Sequence, residues 1–245
     1  MIDATSLDAF VEALKTRLRP LEGPYFATLR DGSMSREDFV ETQVQFAHAV
    51  FFFSRPMMVL AARVSNPKVR LPLLQNVGDE HGDGDLSMSH EATFTKFLER
   101  LGVPSDAPWQ RPLWPEVRAF NTVLAGVCTL DDVPTALATL GIIEELFAGI
   151  SAEIGRSVVA RGFLSADALV HYKTHEELDE LHAEGFYAPV RERYAADETL
   201  RYQVQQGLEL GATVFLTLYR GLYEARARRV RREGHGPHSV VAGFE

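Results

Sequence analysis

His175, Asp179 and His182 fall within one run, H-E-E-L-D-E-L-H, at successive spacings of four and three. On a helix turning about 100° per residue, all three side chains leave on one stripe, roughly a turn apart. Two neutral imidazoles and a carboxylate on one stripe form part of a metal-ligand set, to be completed from other helices. His171 lies one further turn back on the same face, close enough to steady such a set. The plainer reading is a solvated polar face. Against it, Glu176, Glu177, Glu180 and Glu184 already provide solvation, and the whole chain of 245 residues has only eight histidines.

The elements that must position this run read as helices almost throughout, because apolar residues recur with helical period and no stretch alternates as a strand. One helix opens at Ser6 or Asp8 and runs to about Arg19, where Pro20 stops it. A long second helix starts at Ser35, whose side-chain oxygen suits a cap, and ends near Asn66-Pro67. Leu71 to about Glu80 forms the next, interrupted by the Gly-rich run from Gly78 to Gly84. Another begins near Ser87 or Ser89 and ends at Gly102. Pro115 to Leu124 follows, then the most apolar pattern, Val133 to Val159. The histidine helix, capped by the Ser165 to Asp167 stretch, continues to about Gly185. The last helix spans about Asp197 to Arg232. The expectation is one all-α domain over residues 1–245, with 233–245 as a tail.

A two-metal site needs about six protein ligands. Glu80 is a candidate because it ends a helix at a Gly-rich break. His90, ten residues on, sits in the opening turn of the next helix, although taken alone it reads more simply as a surface histidine near a helix start. Glu144 and Glu145 lie mid-helix between apolar residues, where a buried carboxylate without a cation costs several kcal/mol. Glu144 shares a face with Phe147, Ala148 and Ser151; Glu145 shares one with Ile142 and Gly149. The first is preferred and the second stays open.

The set N-V-G-D-E-H-G-D-G-D followed by His90, then G-I-I-E, then H-x-x-x-D-x-x-H, resembles the haem-oxygenase-like dimetal oxidases, iron-containing redox enzymes related to TenA, PqqC and CADD-like proteins. The resemblance spans roughly Ser35 to Tyr219. It implies a bundle of about seven core helices, often dimeric. It also implies the metal ligands Glu80, His90, Glu144, His175, Asp179 and His182, with the glutamate doublet leaving one of them uncertain by a residue. Two irons per chain, or a manganese/iron pair, and dioxygen as co-substrate follow from the same resemblance, as does a small organic substrate of the amino-acid, amine or fatty-acid class. An electron donor is a further partner that such chemistry accommodates. Imidazole and carboxylate donors suit iron and manganese, and no thiolate suggests structural zinc.

On the second helix, Phe46, Phe51, Phe52, Phe53, Met57 and Met58 could line a substrate pocket or simply pack the core. His48 could contact a ligand or substrate, and Arg55 could anchor a substrate carboxylate or join an ion pair between helices. Two other readings remain. A metal-independent PqqC- or TenA-like enzyme of the same fold is one; a TenA-like site wants a nucleophilic cysteine, and Cys128 has no base near it in sequence. A metal-binding bundle without catalysis is the other, although ferritin-like bundles repeat Glu-x-x-His and this chain shows only Asp179-x-x-His182.

Composition narrows the partners. A net charge of −9 disfavours nucleic acid and anionic membrane. The basic run from Arg226 to Arg232 reads as the cationic end of a helix. A single cysteine excludes an intramolecular disulfide framework and fits a reducing compartment. Asp3 and Asp8 break any basic-then-apolar leader. His48, Arg55 and Pro56 interrupt the apolar stretch Val44 to Ala62, which is expected to be a buried helix rather than a membrane span. A cytoplasmic protein, assembled as a homodimer, is the expectation.

Overall fold

The computed structural model describes residues 6–226, with the side chains of 170 and 173–181 left aside. Ten α-helices and no strand occur among the described residues. They are α1 (Leu7–Leu18), α2 (Pro24–Asp31), α3 (Arg36–Arg63), α4 (Pro67–Glu80), α5 (His90–Arg100), α6 (Ala107–Gln110), α7 (Pro115–Leu130), α8 (Val133–Ala160), α9 (Val170–Tyr194) and α10 (Glu198–Ala225). Side-chain caps start most of the long ones. Ser35, Asn66, Ser89, Asp132 and Asp197 each accept a hydrogen bond from a free amide of the first turn.

Several boundaries differ from the sequence reading. α2 and the single turn α6 carry little signal in the sequence because each is short and has a proline in its first turn but no side-chain cap. α4 starts at Pro67, not Leu71, since proline suits a first helical turn that needs no amide donor. α7 continues past Gly126 to Leu130, because one glycine costs a packed helix only about 1 kcal/mol. α9 starts at Val170, after a 3-10 turn at Ala166–Ala168, and runs beyond Gly185 and through Pro189 to Tyr194. The stretch expected to continue the last helix to Arg232, and the tail expected over 233–245, lie outside the described residues beyond Arg226.

α8 is the central helix. Most of its residues are buried, and α9 and α10 pack along it, while α3 lies against α4, α5 and α7. α3 and α8 are both long and apolar enough to cross a membrane by composition, yet 67% and 72% of their apolar windows are buried inside the bundle. They are core helices, as the sequence reading expected for Val44 to Ala62.

The spacing between α8 and α10 is set by two glycines four residues apart. A Cβ at Gly207 would lie 2.2 Å from the carbonyl oxygen of Thr135, and one at Gly211 would lie 2.5 Å from that of Thr139. The threonines use this proximity. Thr135 Oγ1 donates to the Gln203 carbonyl at 3.1 Å and Thr139 Oγ1 to that of Gly207 at 3.1 Å. A methyl group at either glycine must push the helices apart and stretch both bonds. Gly211→Ala is therefore expected to destabilise the protein by about 1–3 kcal/mol, read by urea denaturation; unchanged stability would refute the close-contact account.

Candidate metal centre

α4 ends on Glu80 and α5 begins on His90, and the nine residues between them fold the chain back on itself. Gly82, Asp83 and Gly84 all have positive φ, at 67°, 52° and 94°. At Gly82 a side chain is excluded twice, because a Cβ would also come within 2.8 Å of the Ser89 backbone nitrogen. Ser89 then caps α5, accepting from the Ala92 amide at 3.2 Å. His90 Nδ1 is thereby brought to 2.9 Å from Glu80 Oε1, with both side chains buried.

The pair faces a small cavity whose third polar side chain is Glu144 from α8. The remaining wall is apolar, with Phe46, Val50 and Phe53 from α3, Phe147 from α8 and Phe215 from α10. Glu144 is buried at 3% exposure. Its neighbour Glu145 turns about 100° away and accepts from Lys15 Nζ at 2.8 Å in a separate cleft beside α1. The doublet that left the sequence reading open is thus divided between two cavities. Ala148 goes with Glu145 into the cleft and not with Glu144.

His182 on α9 is buried, its ring centre 6.4 Å from that of His90. Its Nε2 meets Asp79 Oδ2 at 3.0 Å, while its Nδ1 has no hydrogen-bond partner among the described residues. His171 also reaches this region. Its ring stands perpendicular to that of His90 at 6.0 Å, and its Nδ1 lies 3.1 Å from Thr93 Oγ1. The Thr93 hydroxyl also reaches the His90 carbonyl at 3.1 Å, so one threonine ties the two histidines together. His175 and Asp179 lie on the helical backbone of α9 at the expected spacing from His182, but their side chains lie outside the described residues. Among the described residues, no three His, Cys, Asp or Glu side chains stand close enough together to hold an ion as they are.

Two residues singled out from the sequence do not join the cavity. His48 is two residues from Phe46, about 200° round α3, and packs its ring on Trp109 at 6.0 Å. Burial pushes its pKa down to about 4, against a smaller upward pull from the Pro108 backbone. Arg55 also leaves the cavity face. Its guanidinium sits 6.0 Å over the Phe52 ring, and partial burial lowers its pKa despite the opposing charge of Glu91. Of the apolar candidates, Phe46 and Phe53 line the cavity, Phe51 lines an adjoining groove between α3 and α5, Met57 is core, and Met58 is exposed. Asp79 was not singled out at all. Its only signal was its place beside Glu80, and adjacency does not reveal which helix a carboxylate will meet.

Behind the histidines lies a hydrogen-bonded layer. Tyr172 donates to Gln43 Oε1, Gln43 Nε2 donates to the Tyr25 hydroxyl at 2.8 Å, and Tyr25 contacts Thr42 Oγ1 at 2.9 Å. Burial raises the Tyr25 phenol to about 12 and that of Tyr172 well above the ordinary value. These phenols remain neutral, and serve as supports rather than bases.

Residues 40–215 match the family described as iron-containing redox enzymes, well over half of the chain. The chain belongs to that family. This iron-containing redox enzyme is similar in structure to a domain of unknown function with a haem oxygenase-like fold from Shewanella denitrificans OS217, at TM-score 0.75 and 13% identity, covering 93% of this chain and 94% of that one. It is also similar to a CADD-like protein of unknown function from Nostoc punctiforme PCC 73102, at TM-score 0.72 and 15% identity over 89% and 97%. A TenA homologue from Pseudomonas syringae pv. tomato DC3000 superimposes at TM-score 0.68 with 15% identity over 91% and 97%. At such identities the likeness establishes the haem oxygenase-like fold. No curated protein matches the chain in sequence. The donor chemistry suits the family's metal: buried carboxylates and imidazoles, including one imidazole nitrogen without a partner among the described residues, are the groups iron takes.

His48 yields a test in pH. Its pKa is about 4 when folded, below the ordinary 6.5, so the unfolded chain takes the proton first. The stability it preserves is present above pH 6.5 and is lost as pH falls towards 4. Between pH 7 and pH 5 this amounts to about 2 kcal/mol. Urea unfolding of a His48→Leu variant is expected to lack that part of the acid sensitivity; parallel pH profiles for the two proteins would show that His48 is not buried neutral.

Proposed function

We propose that this iron-containing redox enzyme is a non-haem dimetal oxidase or oxygenase, which activates dioxygen to oxidise a small organic substrate of the amino-acid, amine or fatty-acid class. The observation that carries the reading is that Glu80, His90 and Glu144 all line one phenylalanine-walled cavity. Glu80, His90, Glu144 and His182, with His175 and Asp179 from the same helix, would hold a pair of irons, or manganese and iron. Bound there, the metals supply the electrons that dioxygen takes up.

The chain's own contribution is position and dryness. The Glu80–His90 contact holds a carboxylate and an imidazole at a fixed separation before any ligand arrives. The phenylalanines exclude water and offer an apolar body-binding surface, which favours a substrate with a hydrophobic part and a single carboxylate. Val50 and Glu80 line both this cavity and the groove between α3 and α5, so the groove is the route by which such a substrate enters.

A TenA-like cysteine mechanism has less support. Cys128 is fully buried on α7, away from the cavity, and burial pushes its thiol up to about 12. That state is unreactive at neutral pH. A non-catalytic metal-binding bundle would not need a phenylalanine-lined space beside its ligands. A homodimer fits the exposed apolar side chains of Met58 and Val59 on α3 and of Leu71 and Leu74 on α4. The net charge of −9 is consistent with a cytoplasmic protein that binds neither nucleic acid nor membrane.

Anaerobic loading with ferrous iron, followed by desalting and metal analysis, is expected to give about two irons per chain. Glu144→Ala should lose one of them, whereas Glu145→Ala should keep both. A stoichiometry near zero for the unaltered chain would overturn the reading, and loss of iron from the Glu145 variant alone would transfer the ligand to the cleft side of α8.

A further inference from the structure

Asp79 precedes Glu80 in the last turn of α4, and its carboxylate leaves the helix about 100° away from that of its neighbour. It meets His182, on α9, with Oδ2 3.0 Å from Nε2. A carboxylate can only accept, so Nε2 carries the proton, and in a neutral imidazole Nδ1 then carries the lone pair. That Nδ1 is buried without a hydrogen-bond partner among the described residues, on a residue only 2% exposed. A buried acceptor left in this state costs free energy that a cation or a donor would recover. α4 grips the same turn of α9 elsewhere. Asn76 Nδ2 donates to the His182 carbonyl at 3.3 Å, and Pro72 packs beside Gly185, where a Cβ would meet it at an ordinary contact distance of 3.5 Å.

We propose that Asp79 is a positioning residue of the metal centre: it fixes His182 in the Nε2–H form and presents Nδ1 as the nitrogen that binds metal. The inference rests on the metal reading above and deepens it. A carboxylate behind a ligating imidazole holds the ring's orientation and raises the basicity of the ligating nitrogen. Asp79 and Glu80 then have divided roles. Glu80 faces the cavity with His90, and Asp79 acts through His182. The ring of His182 cannot turn Nε2 to the cavity without giving up its carboxylate.

The test reads the imidazole directly. Long-range proton–nitrogen NMR on metal-free, nitrogen-15-labelled protein, with His182 assigned from a His182→Gln spectrum, is expected to show Nε2 protonated and Nδ1 bare. Zinc(II), used as a diamagnetic probe, should shift Nδ1 while Nε2 keeps its proton. Asp79→Ala should weaken zinc binding by about ten- to a hundredfold and lose the single tautomer, with Asp79→Glu recovering part of both. Asn76→Ala removes a contact to the same turn and should leave the tautomer unchanged, which separates positioning from simple support. A protonated Nδ1 in the metal-free protein, or zinc taken up at Nε2, would overturn the inference. Zinc binding unaffected by Asp79→Ala would overturn it alone, whereas zinc that moves no imidazole signal would overturn it together with the metal reading.

Discussion

A carboxylate withdrawn from water must be met by a donor or a cation, and two carboxylates are withdrawn into one apolar cavity of this bundle. Glu80 has the His90 imidazole at 2.9 Å, and Glu144 enters the same space from α8 between phenylalanines. Desolvating an ionised carboxylate costs several kcal/mol unless it is paired. Packing two of them among aromatic rings is a cost that the proposed metal centre would offset. The helix order serves this demand: α4 and α5 bring the acid and the imidazole, α8 brings the second acid, and α9 brings the histidines.

α8 bears the largest share of the arrangement, because its two sides face different surroundings. Glu144 is turned to the cavity, while Glu145 is held outside by Lys15 in a cleft whose wall includes Tyr187. The glycines of α10 fix the distance at which α8 is held, and Gly141 lets the Tyr187 ring lie against it, since a Cβ there would be 2.5 Å from Cε1. Which of two adjacent glutamates enters the core is thus decided by close packing on the other faces of the helix.

Much of this was legible because helical geometry converts spacing into direction. The end of α4 at Glu80 and the start of α5 at His90 follow from a Gly-rich break and a capping serine, both local signals. The inward turn of Glu144 was legible as a preference, from its place beside Phe147. What escaped depends on partners distant in sequence. Nothing in the neighbours of His48 foretells Trp109, and an aromatic face on α3 reads alike whether it lines a cavity or packs against α6. Asp79 was overlooked for a similar reason: its significance lies wholly in His182, 103 residues away. Short helices such as α2 were lost because a single turn or two of apolar residues carries too little period.

The tight reversal at Gly82 also bears on the order in which the site can form. Glu80 and His90 are 10 residues apart, whereas Glu80 and Glu144 are separated by 64. Loop-closure entropy grows with the logarithm of length, so the long closure costs about 1.6 kcal/mol more than the short one. Gly82 and Gly84, free to take positive φ, lower the conformational obstacle to the short closure further. The acid–imidazole pair is the part of the site that the chain can assemble from its own neighbourhood, and it offers a foothold that α8 and α9 reach only when the bundle closes.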